Sequence, residues 1–206
     1  MAIKYYFYPL WLRFWHWTNA VLCILLIISG LSIQYSNPDY PFMQFELAVS
    51  IHNISGILLT ASYLIFLLGN IFTGNGRYYK LNLKTITGEL ITQFKYYISG
   101  LFKGQKPPFP INEKRKFNPL QKVSYVVVMY IFFPLLFITG WALLFPEITV
   151  HNVFGGSGLH MTDLLHLITG FFVSVFLIVH IYFSTIGATP LSHFKAMMDG
   201  WHKAHE

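Results

Sequence analysis

The chain contains one cysteine, Cys23, in 206 residues. A lone thiol excludes an internal disulfide, a thiolate-bound iron–sulfur cluster and a Cys-X-X-Cys-His attachment site. Charge is scarce as well: 11% of the residues are Asp, Glu, Lys or Arg, against 54% hydrophobic. That balance is too apolar for an ordinary soluble domain and reads as a membrane protein. Segments 37–46 and 147–159 hold no Lys or Arg at all. Within the apolar runs no carboxylates or histidines pair at i, i+4, the spacing a zinc transporter would need. No internal repeat at a fixed period is apparent.

What the chain does have is apolar length. A helix needs about 20 apolar residues to cross the hydrocarbon core. Four such runs lie at roughly 14–36, 47–72, 121–146 and 160–187. They define an all-α integral-membrane four-helix bundle, a single transmembrane domain over 1–206. All fourteen Lys and Arg fall on one side of it: Lys4 and Arg13, ten from Arg77 through Lys122, then Lys195 and Lys203. By the positive-inside rule both termini and the long middle loop are cytoplasmic. The net charge of +6 therefore marks orientation and not nucleic-acid binding. Lys4 and Arg13 before an apolar run ending near Ser29-Gly30-Leu31-Ser32 also fit a signal peptide, but the run continues and carries His16.

Arg13-Phe-Trp-His-Trp17 opens the first span with aromatics expected at headgroup level. Asn37-Pro-Asp-Tyr-Pro41 is a turn-rich outer loop, and Gly155-Gly-Ser-Gly158 a flexible one. Between spans two and three, residues 84–103 set Ile86, Leu90, Ile91, Phe94, Ile98 and Leu101 against Lys84, Glu89, Lys95 and Lys103 at helical spacing. That pattern predicts a helix lying in the inner interface, or one packed on a partner subunit. Pro134 is expected to kink span three.

Chemistry is carried by the histidines. His166 and His180 bracket an apolar helix with no other ionisable side chain between them. Fourteen residues make about 21 Å of rise and fall about 40° short of four turns, so the two rings share a face at two depths. In this topology His16 pairs in depth with His180 near the inner side, and His52 with His166 near the outer side. Two facing imidazoles form the axial ligand set of a low-spin haem b. Two non-covalent haems, with irons about 20 Å apart, would suit electron transfer across the bilayer. Gly56 and Gly170 each follow a histidine by four residues, and Gly30 follows His16 by fourteen. All three are in phase to clear space for a flat macrocycle, although glycine also serves helix contacts. His16 alone could instead sit in the interface beside Trp15 and Trp17. Arg13, one turn earlier, is either a propionate partner or a plain positive-inside anchor. His151, His160, His193, His202 and His205 read as loop and tail residues.

Arg13-Phe-Trp-His-Trp17, His52-Asn-Ile-Ser-Gly56, Lys116-Phe-Asn-Pro-Leu-Gln-Lys122 and the His166…His180 helix together resemble the dihaem cytochrome b subunits of respiratory formate dehydrogenases, nickel–iron hydrogenases and thiosulfate reductases. The resemblance covers nearly the whole chain. It implies the same four ligands, His16, His52, His166 and His180. It also implies a multi-pass subunit of the prokaryotic cytoplasmic (inner) membrane, joined to an extracytoplasmic iron–sulfur or multihaem subunit and a catalytic subunit. Electrons would pass to or from menaquinone or ubiquinone, and the substrate chemistry would belong to a partner. The implied quinone pocket involves His180 and Asn118. Gln121 and Lys122 add amide and ammonium groups suited to quinone oxygens. The same residues also spell a helix start, with Asn118 as N-cap, Pro119 first in the helix and Gln121 completing a capping box. Leu120 departs from the formate-dehydrogenase pattern, where glycine stands, and looks closer to the thiosulfate-reductase branch. A stand-alone quinol-linked haem-b carrier of the superoxide or metal reductase type is the alternative.

Overall fold

Pro9 sets where the first membrane helix begins. Its carbonyl accepts the N–H groups of Leu12 and Arg13, and the span runs Leu10–Gln34, starting before the expected residue 14. The computed structural model describes residues 3–37, 42–153, 155–186 and 189–204. Residues 38–41 of the turn-rich loop and His205 lie outside them. The other three spans are Phe45–Phe72, Pro119–Leu144 and Gly158–Ser184, and all four helices are long and apolar enough to cross a membrane. The third starts at Pro119 because Asn118 caps it. The fourth starts at Gly158, where an added Cβ would lie 1.5 Å from the Val150 carbonyl oxygen and no other residue fits.

The third span changes register before its proline. Val128–Phe132 is a π-helical turn, and regular helix resumes at Phe133 with Pro134 in its first turn. A proline cannot donate to the carbonyl four residues back, and a wider turn absorbs that lost bond. The expected disturbance at Pro134 thus takes the form of a π turn.

The chain divides into two compact units. One contains Phe14–Leu68 and Ile131–Val179. Its core is aromatic: Phe66 is fully buried, with the Trp15 ring stacked on it at 4.5 Å. Tyr63 meets Phe133 and Phe137. Trp15 Nε1 donates to the Ser62 carbonyl, and Asn19 Nδ2 donates to Ser62 Oγ and the Trp15 carbonyl. Trp15 is therefore a packing residue that ties the first span to the second, whereas Phe14 and Trp17 of the same aromatic cluster are exposed. Helical spacing explains the split, since Trp15 and Asn19 share a face that Phe14 and Trp17 do not. Outward positions such as Val21, Leu31, Leu58, Phe171 and Ile178 are apolar and exposed, as lipid contact requires.

The other unit contains Met1–Arg13, Gly69–Tyr130 and His180–Glu206. Strands Ile3–Tyr6 and Trp201–Ala204 pair antiparallel, with Tyr5 opposite His202 and Tyr6 opposite Trp201. The short helix Ser192–Asp199 ends at Gly200 with φ +90°, and the Gly200 carbonyl accepts the N–H groups of Phe7 and Tyr8. Residues Ile86–Lys95 form the amphipathic helix expected between spans two and three, continued by a π turn over Tyr96–Gly100. Its Ile91, Phe94 and Ile98 are exposed.

Candidate functional site

His52 on the second span and His166 on the fourth stand edge to face, with ring centroids 6.2 Å apart and planes at 71°. Each ring is held from behind by a neighbouring helix. Ser29 Oγ on the first span is 3.1 Å from His52 Nδ1. Thr139 Oγ1 on the third is 2.8 Å from His166 Nδ1. Each hydroxyl is followed by a glycine that lets the ring approach the helix. A Cβ on Gly30 would lie 3.2 Å from His52 Cε1, and one on Gly140 would lie 3.3 Å from His166 Cε1. Gly30 thus clears the His52 ring. A Cβ on Gly56 would meet only Leu26 Cδ2 at 4.0 Å, and one on Gly170 nothing within 4 Å.

Ser29, Thr139 and Gly140 were not singled out in the sequence, yet a signal was present. Ile-(Ser/Thr)-Gly occurs once in every span, at Ile28-Ser29-Gly30, Ile54-Ser55-Gly56, Ile138-Thr139-Gly140 and Ile168-Thr169-Gly170. The tripeptide also occurs outside the spans, at 86–88 and 98–100, which hides the pattern. All four span hydroxyls are buried. Two of the tripeptides begin two residues after a histidine, and the other two sit behind those histidines.

His16 and His180 belong to different units. His16 is half-buried and edge-on to the Trp17 ring at 5.4 Å. His180 is edge-on to Tyr125 at 5.8 Å, with Nδ1 3.4 Å from the Tyr125 hydroxyl. Arg13 Nη1 donates to the Met198 carbonyl, in the last turn of Ser192–Asp199, where unpaired carbonyls attract a cation.

Asn118 and Gln121 form the capping box. Asn118 Oδ1 accepts the Gln121 N–H at 2.9 Å, and Gln121 Oε1 accepts the Asn118 N–H at 3.2 Å. Asn118 Nδ2 donates to the Tyr97 hydroxyl at 2.9 Å, and burial raises the Tyr97 pKa above the usual phenol value. Lys122 is half-buried, and its N–H donates to the Asn118 carbonyl.

Two features depart from what charge and position imply. Lys116, in a basic stretch, is 3% exposed. Its Nζ donates to the Phe7 carbonyl at 2.9 Å and to Asn75 Oδ1 at 3.3 Å, beneath the rings of Tyr8, Tyr78 and Phe117. Burial pushes its ammonium down to about 7 and the Tyr8 phenol up to about 12. His193 and His202 are not loose tail residues but stack at 5.7 Å; burial lowers the His193 pKa. His151 and His160 are both exposed; His151 lies in the loop before the fourth span, as expected, whereas His160 lies in the first turn of that helix.

Four membrane-length helices, two of which bring imidazoles together with centroids 6.2 Å apart, make the scaffold of a membrane cytochrome. The comparison with known proteins agrees: residues 7–200 match the family described as prokaryotic cytochrome b561, and the chain belongs to it. It is 37% identical to the protein named cytochrome YdhU from Escherichia coli K12, over 97% of this chain and 75% of that one. It is 28% identical to a protein-methionine-sulfoxide reductase subunit by name, YedZ1 of Azospira oryzae, over 59% of this chain and 62% of the relative. The chain is thus a multi-pass haem-b protein of the prokaryotic inner membrane, of the electron-transport class.

The residues fit that group. A metal–imidazole bond of about 2 Å, plus about 1.1 Å from ring nitrogen to ring centre, gives about 6 Å between centroids of two axial imidazoles. The His52–His166 separation of 6.2 Å matches. Among the described residues no group of three or more His, Cys, Asp or Glu could hold a bare metal ion. His52 and His166 would hold a haem b between them, and the haem would supply one-electron chemistry.

Proposed function

We propose that this chain is the dihaem cytochrome b subunit of a membrane-bound respiratory oxidoreductase. His52 and His166 hold an outer haem b, and His16 and His180 an inner one. The single observation that carries this reading is the His52–His166 pair, at an axial-ligand separation with each Nδ1 engaged from behind. A haem held by these histidines would supply one-electron transfer. The chain's own part is to carry the two ligand pairs at two depths of its apolar spans, with all four rings half-buried. The confinement of Lys and Arg to one side supports cytoplasmic termini. The exposed Ile91, Phe94 and Ile98 support an interfacial position for the Ile86–Lys95 helix.

Electrons pass between an extracytoplasmic iron–sulfur or multihaem subunit, with its catalytic subunit, and menaquinone or ubiquinone near the cytoplasmic face. A relative named as a reductase subunit supports chemistry carried by a partner. The quinone site lies around His180, Asn118, Gln121 and Lys122. The Asn118 and Gln121 side-chain oxygens are engaged in the cap, so the part of these residues in quinone binding falls to donors, the Gln121 amide nitrogen and the Lys122 ammonium, both suited to a quinone carbonyl. Arg13, whose Nη1 is on the Met198 carbonyl, anchors the first span to the C-terminal segment.

The test is a haem count on the purified protein. Two haem b per chain are expected, with one lost in His52→Ala or His166→Ala and the other in His16→Ala or His180→Ala. His151→Ala should keep both. A colourless protein, or two haems retained without His52, would end the reading. Co-elution of a redox subunit in mild detergent separates it from a stand-alone carrier.

A further inference from the structure

The hydrogen bonds behind the outer pair determine which nitrogen of each ring carries the proton. Ser29 Oγ donates its one hydrogen to a carbonyl of its own helix, Leu25 at 2.6 Å with Leu26 at 3.3 Å. Thr139 Oγ1 does the same, to Leu135 at 2.7 Å with Leu136 at 3.3 Å. A hydroxyl whose proton is already given to a carbonyl can only accept from a third group. Toward the rings, both oxygens are therefore acceptors, and the histidine nitrogens must donate. In a neutral imidazole, a protonated Nδ1 leaves Nε2 with its lone pair bare.

We propose that Ser29 and Thr139 are positioning residues of the outer centre: each locks its histidine as the Nδ1–H tautomer, presenting Nε2 as the iron ligand. The two locks are built alike, a buried hydroxyl on an i−4 carbonyl followed by a glycine that admits the ring. They arise on different helices from the same Ile-(Ser/Thr)-Gly step. Donation from Nδ1–H makes the opposite nitrogen more basic and favours the oxidised iron, as outer partners of metal-bound histidines do elsewhere. The shorter contact at Thr139, 2.8 Å against 3.1 Å at Ser29, makes its lock the stronger.

This inference rests on the dihaem reading. Its test is a redox titration of the purified full-length haem protein, with low-temperature paramagnetic resonance of the oxidised form. Ser29→Ala and Thr139→Val should each raise the potential of one of two transitions and leave the other in place, Thr139→Val by more. The resonance of the same haem should shift with it. Thr139→Ser and Ser29→Thr, which keep the hydroxyl, should restore both signatures. Loss of one haem in Thr139→Val with retention in Thr139→Ser equally supports the lock, and if Thr139→Val does not accumulate, Ser29→Ala decides. Two unshifted transitions in Ser29→Ala, or equal shifts in Thr139→Val and Thr139→Ser, overturn it. If wild type lacks two haems, or His52→Ala loses none, the dihaem reading has failed instead.

Discussion

Lys116 offers a sharp test of the packing, because its burial has a measurable consequence. Its ammonium titrates near 7 in the fold, against 10.5 for an exposed lysine. Two acceptors and three ring faces favour the cation, but removal from water outweighs them at 3% exposure. Between those two pH values the unfolded chain holds a proton that the folded chain lacks. Stability therefore rises with pH across the window by about 1.4 kcal/mol per unit, and the full penalty is present below pH 7. From pH 7.5 to 9.5 the gain is about 2.5 kcal/mol, or about 5–10 °C in melting temperature for a chain of this size. Tyr8, which titrates near 12 in the fold, acts oppositely only above pH 10. Lys116→Met removes this slope. It also leaves the Phe7 carbonyl and Asn75 Oδ1 without their donor, a pH-independent loss of about 1–3 kcal/mol each. The assay is intrinsic-fluorescence melting in detergent across pH 7–9.5. Parallel curves for wild type and Lys116→Met would show that the folded lysine stays charged, and the burial argument would fall.

Two further outcomes follow from the geometry. Asn118→Ala deletes the acceptor of the Gln121 N–H and the donor to Tyr97, and should lower stability by about 1–2 kcal/mol in the same melting assay. Asn118→Asp, which keeps the accepting oxygen, should recover most of it; equal losses would show that the cap is not what the side chain supplies. Gly140→Ala brings a methyl to 3.3 Å from His166 Cε1 and should displace that ring, whereas Gly56→Ala meets only Leu26 Cδ2 at 4.0 Å. Visible spectra should show perturbed or missing haem in the first variant and an unchanged haem spectrum in the second.

Much of the architecture is written in single residues. Runs of about 20 apolar side chains can be nothing but spans in a chain this poor in charge, and their observed limits differ from the expected ones by only a few residues. The start at Pro119 was readable because Asn118, Pro119 and Gln121 are local signals, read within one turn. Trp15 was not readable: an interfacial and a packed tryptophan have the same sequence context, and only the position of Phe66 and Ser62 on another helix separates them. Lys116 was hidden for the same reason. A lysine in a basic run is solvated by default, and its acceptors come from residues 7 and 75, far off in the chain.

The sequence by itself determined that this is a four-span membrane protein with histidines inside its apolar helices, because hydrophobic length is a local quantity. Which side chains stand behind those histidines was decided only by tertiary structure. A serine in an apolar helix bonds its own i−4 carbonyl whatever lies beyond, so Ser29 and Thr139 look alike with or without a partner. Only the packing of one helix on another brings an imidazole nitrogen to the remaining lone pair.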